Sequence, residues 1–455
     1  MATNTIRRIR SRVHETAFDL DIRSTLRRLA ALPPSPDVPY LTVSLDWRPT
    51  GSVPARLPLG DVQPSQRRTL PRFETISSRP SRQEVERLLG ESVSDFGPRG
   101  EAFDSLTADI ARLGDVLDGI DPAAQGVFVV ACSARGIFEE LSLGLPVPTR
   151  AAVGPTPALS VLARLDDDYP PYAVLLADQH QATLSFITQA VVSESVSLDS
   201  SGYPRKQKQG GLNQRRYQNR ADERVSAFAR GIAEETRKAL DETGVGILII
   251  AGDEIMTSAL DAALHQTVKE RVVATIRLDS TATEQQIVEA TQSLVRQEER
   301  DREAEAVTEL QDQIGSDSAA VSGTERTLAT LQAGRVDTLI IVDDLALSGW
   351  ADFSMGVYGA GDPPVEHPAG GDVANIVPVD LDEEFVRLAF AGGDADVQIV
   401  KTVSGDAAAD LDAIPAAGDV ARSEPAAALD QMGGVGALLR YSIYESGQPT
   451  EMTVQ

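Results

Sequence analysis

The chain has 455 residues, 42% of them apolar and 24% charged, values that let each domain bury a core and exclude wholesale disorder. With 42 Lys and Arg against 68 Asp and Glu the formal charge is −26, which excludes a uniformly basic nucleic-acid binder; any contact with RNA must come from a local basic patch. The single cysteine, Cys132, excludes a disulfide framework and a Cys-based zinc site, and the histidines His14, His180, His265 and His367 lie far apart in sequence, so neither metal nor cofactor is expected.

At roughly 150 residues per domain, about three domains are expected, and the chain divides accordingly at 1–165, 166–316 and 317–455. In the first part an apolar pattern predicts a helix over Ile6 to Leu32, ended by Pro33-Pro34. Its Arg-rich start could mimic a transit peptide, but Glu15, Asp19 and Asp21 argue against one. Tyr40 to Leu45 reads as a strand, 48–80 as a Pro/Arg/Ser-rich loop, and 81–91 and 101–118 as helices. Gly126 to Cys132 is a buried strand with Cys132 in the core, and a Pro-rich stretch, Leu145 to Pro157, leads out. No apolar run is long enough to span a bilayer, so a cytoplasmic protein without membrane partners is expected.

The second part opens with a strand, Tyr172 to Asp178, and its hairpin partner from Ala182; His180 falls in the tight turn between them. A third strand covers 189–196. A helix is predicted from Arg215 to about Leu240, with Val225, Phe228, Ala229, Ile232 and Ala233 on one face. A buried strand from Gly246, a strand over 272–278 and a charged helix over 283–314 complete an α/β alternation. In the third part a helix over 322–333 stops at Gly334, a strand runs from Val336, and 350–378 reads as a Gly/Pro-rich acidic loop. A helix over 380–391, a strand at Val397 to Val400, a mobile surface segment over 404–428 and an edge strand after Gly433-Gly434 follow. From Asp343 onward 20 acids face 4 Lys and Arg, so the negative charge is concentrated at this end. The runs Asp166-Asp167-Asp168 and Asp343-Asp344 read as solvated ends or caps.

One segment stands apart chemically. Residues 203–220 carry Arg205, Lys206, Lys208, Arg215, Arg216 and Arg220, with no acid between Ser200 and Ala221. Gly210-Gly211 lies in the middle, just before a predicted helix. Glycines let backbone N–H groups approach a ligand closely, a helix N-terminus favours anions, and the cations neutralise phosphates. Tyr217 could stack on a base. The plain alternative is a solvated loop with accidental charge. No Walker-type Gly-x4-Gly-Lys-Ser/Thr and no Gly-x-Ser-x-Gly elbow occurs.

The glycine pair in its basic loop, followed by Arg-Arg-Tyr-Gln and a long helix, resembles the central domain of archaeal and eukaryotic peptide-chain release factors. It is most similar to their bacterial branch, grouped with the Vms/Ankzf peptidyl-tRNA hydrolases of ribosome quality control. The hairpin around Val174 to Leu184, the segment Ala333 to Ile341 and the segment Gly433 to Tyr441 resemble other parts of that family in the same order. The resemblance covers about 165–455 and implies three consecutive α/β domains, the central one RNase H-like and the last like kink-turn-binding ribosomal proteins.

The family loop carries Gly-Gly-Gln and enters the peptidyl-transferase centre, where the glutamine helps place the water that attacks the peptidyl-tRNA ester. Here Leu212 follows the glycines; Asn213 and Gln214 are the next carboxamides. The resemblance therefore implies catalysis by Gln214 with Gly210 and Gly211, and RNA contact by Arg205, Lys206, Lys208, Arg215, Arg216, Tyr217 and Arg220. A carboxamide suits the task, since it both donates to and accepts from water and never ionises. The implied partners are the large ribosomal subunit and tRNA, with no DNA; the acid-rich third domain, which repels RNA, is expected from its charge to face protein, for example a translational GTPase or a ribosomal stalk. The four asparagines, Asn4, Asn213, Asn219 and Asn375, do not start the Asn-Ile-Lys-Ser loop of stop-codon readers, so decoding is not implied. Three readings remain open: peptidyl-tRNA hydrolysis in ribosome rescue, non-catalytic occupation of the ribosomal A site in rescue or hibernation, and a soluble regulatory α/β protein with no RNA partner.

Overall fold

A computed structural model of the chain describes residues 7–12, 21–48, 79, 83, 85, 89, 100–199, 214–316, 318–392, 395–402 and 422–441; for 7–12, 199 and 214–222 only the backbone is described. Two compact units emerge, one from Met1–Thr16 and Tyr169–Glu299, the other from Ala17–Asp168 and Arg300–Gln455. Every sheet is part of an α/β arrangement, in line with the expected class.

The helix expected over Ile6 to Leu32 is replaced by a strand, β1 (Arg7–Arg12), and a helix, α1 (Ile22–Ala30), which Asp21 caps by accepting from the Ser24 N–H at 3.0 Å. The reason is non-local. All six residues of β1 pair antiparallel with a strand near residue 195, and a ladder that satisfies both backbones outweighs the helical bias of an isolated Arg-rich segment.

The early part of the second unit is an antiparallel sheet of β2 (Tyr40–Asp46), β3 (Gly126–Cys132), β4 (Ile137–Leu143) and β5 (Arg150–Gly154), in the order β4-β3-β2-β5. Helix α2 (Glu101–Leu117) presents Leu106, Ile110, Leu113 and Leu117 at helical spacing to Leu41, Val43, Leu45, Val127 and Val129. Val85 and Leu89, helical as expected, are buried in the same core. Cys132 ends β3 fully buried, as the sequence suggests, and burial pushes its thiol up. The Pro-rich stretch contains β5, and α3 (Ser160–Asp168) follows it.

The first unit is a six-stranded mixed sheet. Its strands are β1, β6 (Tyr172–Ala177), β7 (Gln181–Thr188), β8 (Val191–Asp199), β9 (Ile247–Gly252) and β10 (Val272–Ile276), ordered β1-β8-β7-β6-β9-β10. The expected third strand starts two residues late, because Gln189 and Ala190 take positive φ in the β7–β8 turn. Both faces of the sheet are covered, which explains why β6 and β9 are apolar without interruption. Ala173, Leu175, Leu248 and Ile250 meet α4 (Gln214–Thr243) through Phe228, Ala229 and Ile232, together with α5 (Glu254–Ala263). Val174, Leu176, Ile249 and Ala251 meet Ile287 and Val295 on the other face. These two belong to a helix of 32 residues, Glu284–Gly315, which starts after β10 and continues into residues of the second unit. Between β10 and β9 lies α6 (Gln266–Lys269), so the long helix is α7. The Tyr172 hydroxyl and Thr291 Oγ1, 3.0 Å apart and buried, join β6 to α7.

The late part of the second unit holds β11 (Ala320–Ser322), α8 (Thr324–Gln332), β12 (Val336–Val342), β13 (Ser348–Asp352), β14 (Val357–Ala360), β15 (Val377–Asp380), α9 (Leu381–Ala391), β16 (Asp396–Val400), α10 (Glu424–Asp430) and β17 (Val435–Leu439). Three expectations change here. The acidic loop over 350–378 contributes to a small sheet, β14-β13-β15. The strand after Gly433-Gly434 is interior, between β11 and β12. Within 404–428, residues 424–428 begin α10, whose Ala426 and Leu429 are fully buried; 403–421 lie outside the described residues.

The acidic runs read as solvated are structural. Asp167 accepts from the Ile399 N–H at 2.8 Å, and Asp168 lies 2.8 Å from the Lys401 ammonium, which also reaches Glu303 at 3.0 Å. Asp343 accepts from the Thr402 N–H, and Asp344 is paired with Arg422. Glu383 accepts from the N–H groups of Leu159 and Ser160 at 2.7 and 2.9 Å and from the Ser160 hydroxyl, placing a carboxylate at the N-terminus of α3. These ties hold residues 17–168 to residues 300–455 within one unit.

Candidate functional site

The basic segment joins β8 to α4, so its two anchors are known even though 200–213 lie outside the described residues. That interval contains Arg205, Lys206, Lys208, Gly210, Gly211, Leu212 and Asn213. Gln214 is the first residue of α4, one earlier than the sequence predicts, and Arg215, Arg216, Tyr217 and Arg220 fall in its first two turns. Their side chains are outside the described residues.

The placement of that helix head follows from packing. Helix α4 has 30 residues, about 45 Å at 1.5 Å each, whereas the six residues of β9 span about 20 Å. Its buried stripe runs from Phe228 to Leu240, with Val225 half-buried, while Glu223 and Arg224 are exposed. Gln214 is therefore about 21 Å along the axis from the first fully buried anchor. Strands β6, β8 and β9 run the same way, and the helix returns from the end of β8 to the start of β9. Its N-terminus thus lies toward the carboxyl ends of these strands, where ligands bind in open α/β sheets.

The described acids at that end are engaged. Asp178, after β6, accepts from the N–H groups of His180 and Gln181 at 2.7 and 2.8 Å. Burial raises its pKa, but the Ser280 hydroxyl and these two N–H groups outweigh burial and hold the carboxyl below the usual carboxylate range. Asp253, after β9, caps α5 by accepting from Ile255 and Met256. Between the strand ends, Gly252 has φ +144°, and a Cβ there would stand 1.9 Å from the carbonyl oxygen of Ala177, so only glycine fits. Ile255 is exposed beside it.

The strand pairing adds residues that the sequence reading assigned to a first-domain helix. Arg7, Arg8, Arg10 and Arg12 lie on β1, opposite Asp199, Leu198, Val196 and Glu194 of β8. Four arginines in six residues was the available signal; the partner strand, almost two hundred residues away, was not readable. Elsewhere, buried His367 lies 3.1 Å from Asp352, and its Nδ1 accepts from the Ala369 N–H, so Nε2 carries the proton that Asp352 accepts. Asp352 also accepts from Ser354 and Met355, so the pair orders a turn. Among the described residues no cluster of His, Cys, Asp and Glu is arranged to hold a metal ion, and no helix is long and apolar enough to cross a membrane.

The central stretch of the chain is similar to bacterial release-factor-like proteins. Residues 157–299 match the model of bacterial archaeo-eukaryotic release factor family 10, and this is the stretch that contains the hairpin, the basic segment and α4. No curated protein matches the chain. Solved structures similar to it include the archaeal translation termination factor aRF1, at 16% identity over 92% of this chain and 98% of that one, with a TM-score of 0.22. Archaeoglobus fulgidus Pelota matches at 15% identity over 70% of this chain and 80% of that one, with a TM-score of 0.29. Dom34 of S. cerevisiae, a translation termination-like factor interacting with Hbs1, matches at 11% identity over 70% and 82%, with a TM-score of 0.36. The likeness to that family rests on the match over 157–299, about a third of the chain.

Proposed function

We propose that this protein acts on the ribosome as a rescue factor, inserting its Gly-Gly segment into the peptidyl-transferase centre and hydrolysing the ester of peptidyl-tRNA. The observation that carries the reading is an acid-free run of six cations around Gly210-Gly211, in a chain of net charge −26, within the segment that matches the release-factor family. Gln214 positions the attacking water. Gly210 and Gly211 let the backbone pass through a narrow RNA passage. Arg205, Lys206, Lys208, Arg215, Arg216 and Arg220 hold phosphates, and Tyr217 stacks on a base. The ribosome and tRNA are the substrate-bearing partners. The acid-rich end of the chain repels RNA and so faces protein, for which a translational GTPase is the partner of choice.

Release of labelled peptide from peptidyl-tRNA on purified large subunits tests the chemistry. Wild type is expected to release peptide, and Gln214→Ala to lose at least tenfold in rate, in the range of losing one positioning group. Unchanged release by Gln214→Ala would remove that residue from the mechanism. A second reading is favoured by Leu212, which stands where the family loop has its glutamine: an A-site occupant that binds without releasing peptide. It requires ribosome binding with no release by either protein.

A further inference from the structure

A basic stripe on the first strand lies outside the segment described above. Among the described residues, strand β1 is the outermost of its sheet, with β8 as its strand neighbour. The register fixes both ends: Arg7 faces Asp199, the last residue of β8 before the basic segment begins, and Arg12 faces Glu194. Residues directly opposite in an antiparallel pair share a face. Arg8 pairs with Leu198 and Arg10 with Val196, and both partners belong to the core on which α4 packs. Arg8 and Arg10 therefore occupy the α4 face of the sheet edge. The N-terminus of α4 lies toward the same sheet end as Arg7 and Arg8. Residues opposite Arg8 and Arg10 are apolar, and Glu194, opposite Arg12, lies on the same face of β8.

We propose that β1, through Arg8 and Arg10, is a second RNA-phosphate-binding element, which the strand register brings to the same face of the sheet as α4 and toward the end where its head lies. This rests on the reading of the central unit as ribosome-directed. The element extends the contact from the loop to the sheet edge. It supplies two cations on that face with no base-reading geometry, so its ligand is the sugar–phosphate backbone and not a particular sequence. Arginines also protect an edge strand from pairing with another chain. That role alone gives no RNA affinity, and the two are separable by salt.

The test measures binding of the full chain to purified large ribosomal subunits over a series of salt concentrations. The proteins are wild type, Arg8→Gln/Arg10→Gln, Arg8→Lys/Arg10→Lys, and a loop variant with Lys206 and Lys208 changed to Gln. Each phosphate contact adds about 0.7–0.9 to the slope of log affinity against log salt, so the double Gln variant should lose about 1.5 from the slope and roughly tenfold in affinity near physiological salt. The double Lys variant should keep both. Should the double Gln variant fail to fold, as judged by its thermal melt, single Arg10→Gln is expected to lose about half the slope change. If the loop variant loses affinity while the strand variants bind like wild type, the inference falls and the functional reading stands. If wild type does not bind large subunits at all, both fall.

Discussion

Two aspartates show at the residue scale how burial sets charge. Asp382, in the first turn of α9, accepts from the Leu347 N–H at 3.2 Å. Burial, with Glu383 beside it, pushes its pKa up to about 7, and burial pushes Asp166 up to about 6. Between about pH 4 and pH 7 the folded chain therefore holds protons that the unfolded chain has released, so these groups lower stability as pH rises through that window. Asp382→Asn keeps the acceptor and removes the charge. It is expected to leave stability unchanged near pH 4 and to raise it by about 2 kcal/mol above pH 7, read from urea midpoints across pH. A gain that is the same at both pH values would contradict the assignment.

At the scale of elements, the second unit is joined by charge as well as by apolar packing. Lys401 follows β16 and meets Asp168 at the end of α3 and Glu303 on α7, all three nearly buried. Burial alone would lower the Lys401 pKa, but the two carboxylates outweigh it and raise it, so the lysine stays charged. Lys401→Met takes the ammonium from buried Glu303 and leaves Asp168 with its 3.4 Å pair to Arg164, and should cost about 3 kcal/mol. Adding Asp168→Asn and Glu303→Gln should recover part of that loss, and a triple variant as unstable as the single would show that packing, not charge, dominates. The elements themselves were legible where the cause is local: α2, β3, β9 and α4 follow from apolar spacing alone. They were not legible where the cause is a distant partner. β1 needs β8, and β17 becomes interior because β11 covers it. The role of Asp168 likewise depends on a lysine more than two hundred residues later.

For the whole molecule, the proposed function depends on concentrating positive charge in one place on an acidic protein. The basic segment itself was legible from composition, because an acid-free run is an anomaly at net charge −26; its anchoring between β8 and the 30-residue α4 was not, since strand pairing and helix length are properties of the packed unit. In the proposed function Gly210-Gly211 and their cations enter the peptidyl-transferase centre, whether or not Gln214 completes the chemistry. Chemical footprinting of large-subunit RNA with bound protein tests this most directly. The expected result is protection of nucleotides at the peptidyl-transferase centre by wild type, and loss of that protection when Gly210 and Gly211 are changed to alanine. Protection confined to distant rRNA, or none at saturating protein, would contradict the account.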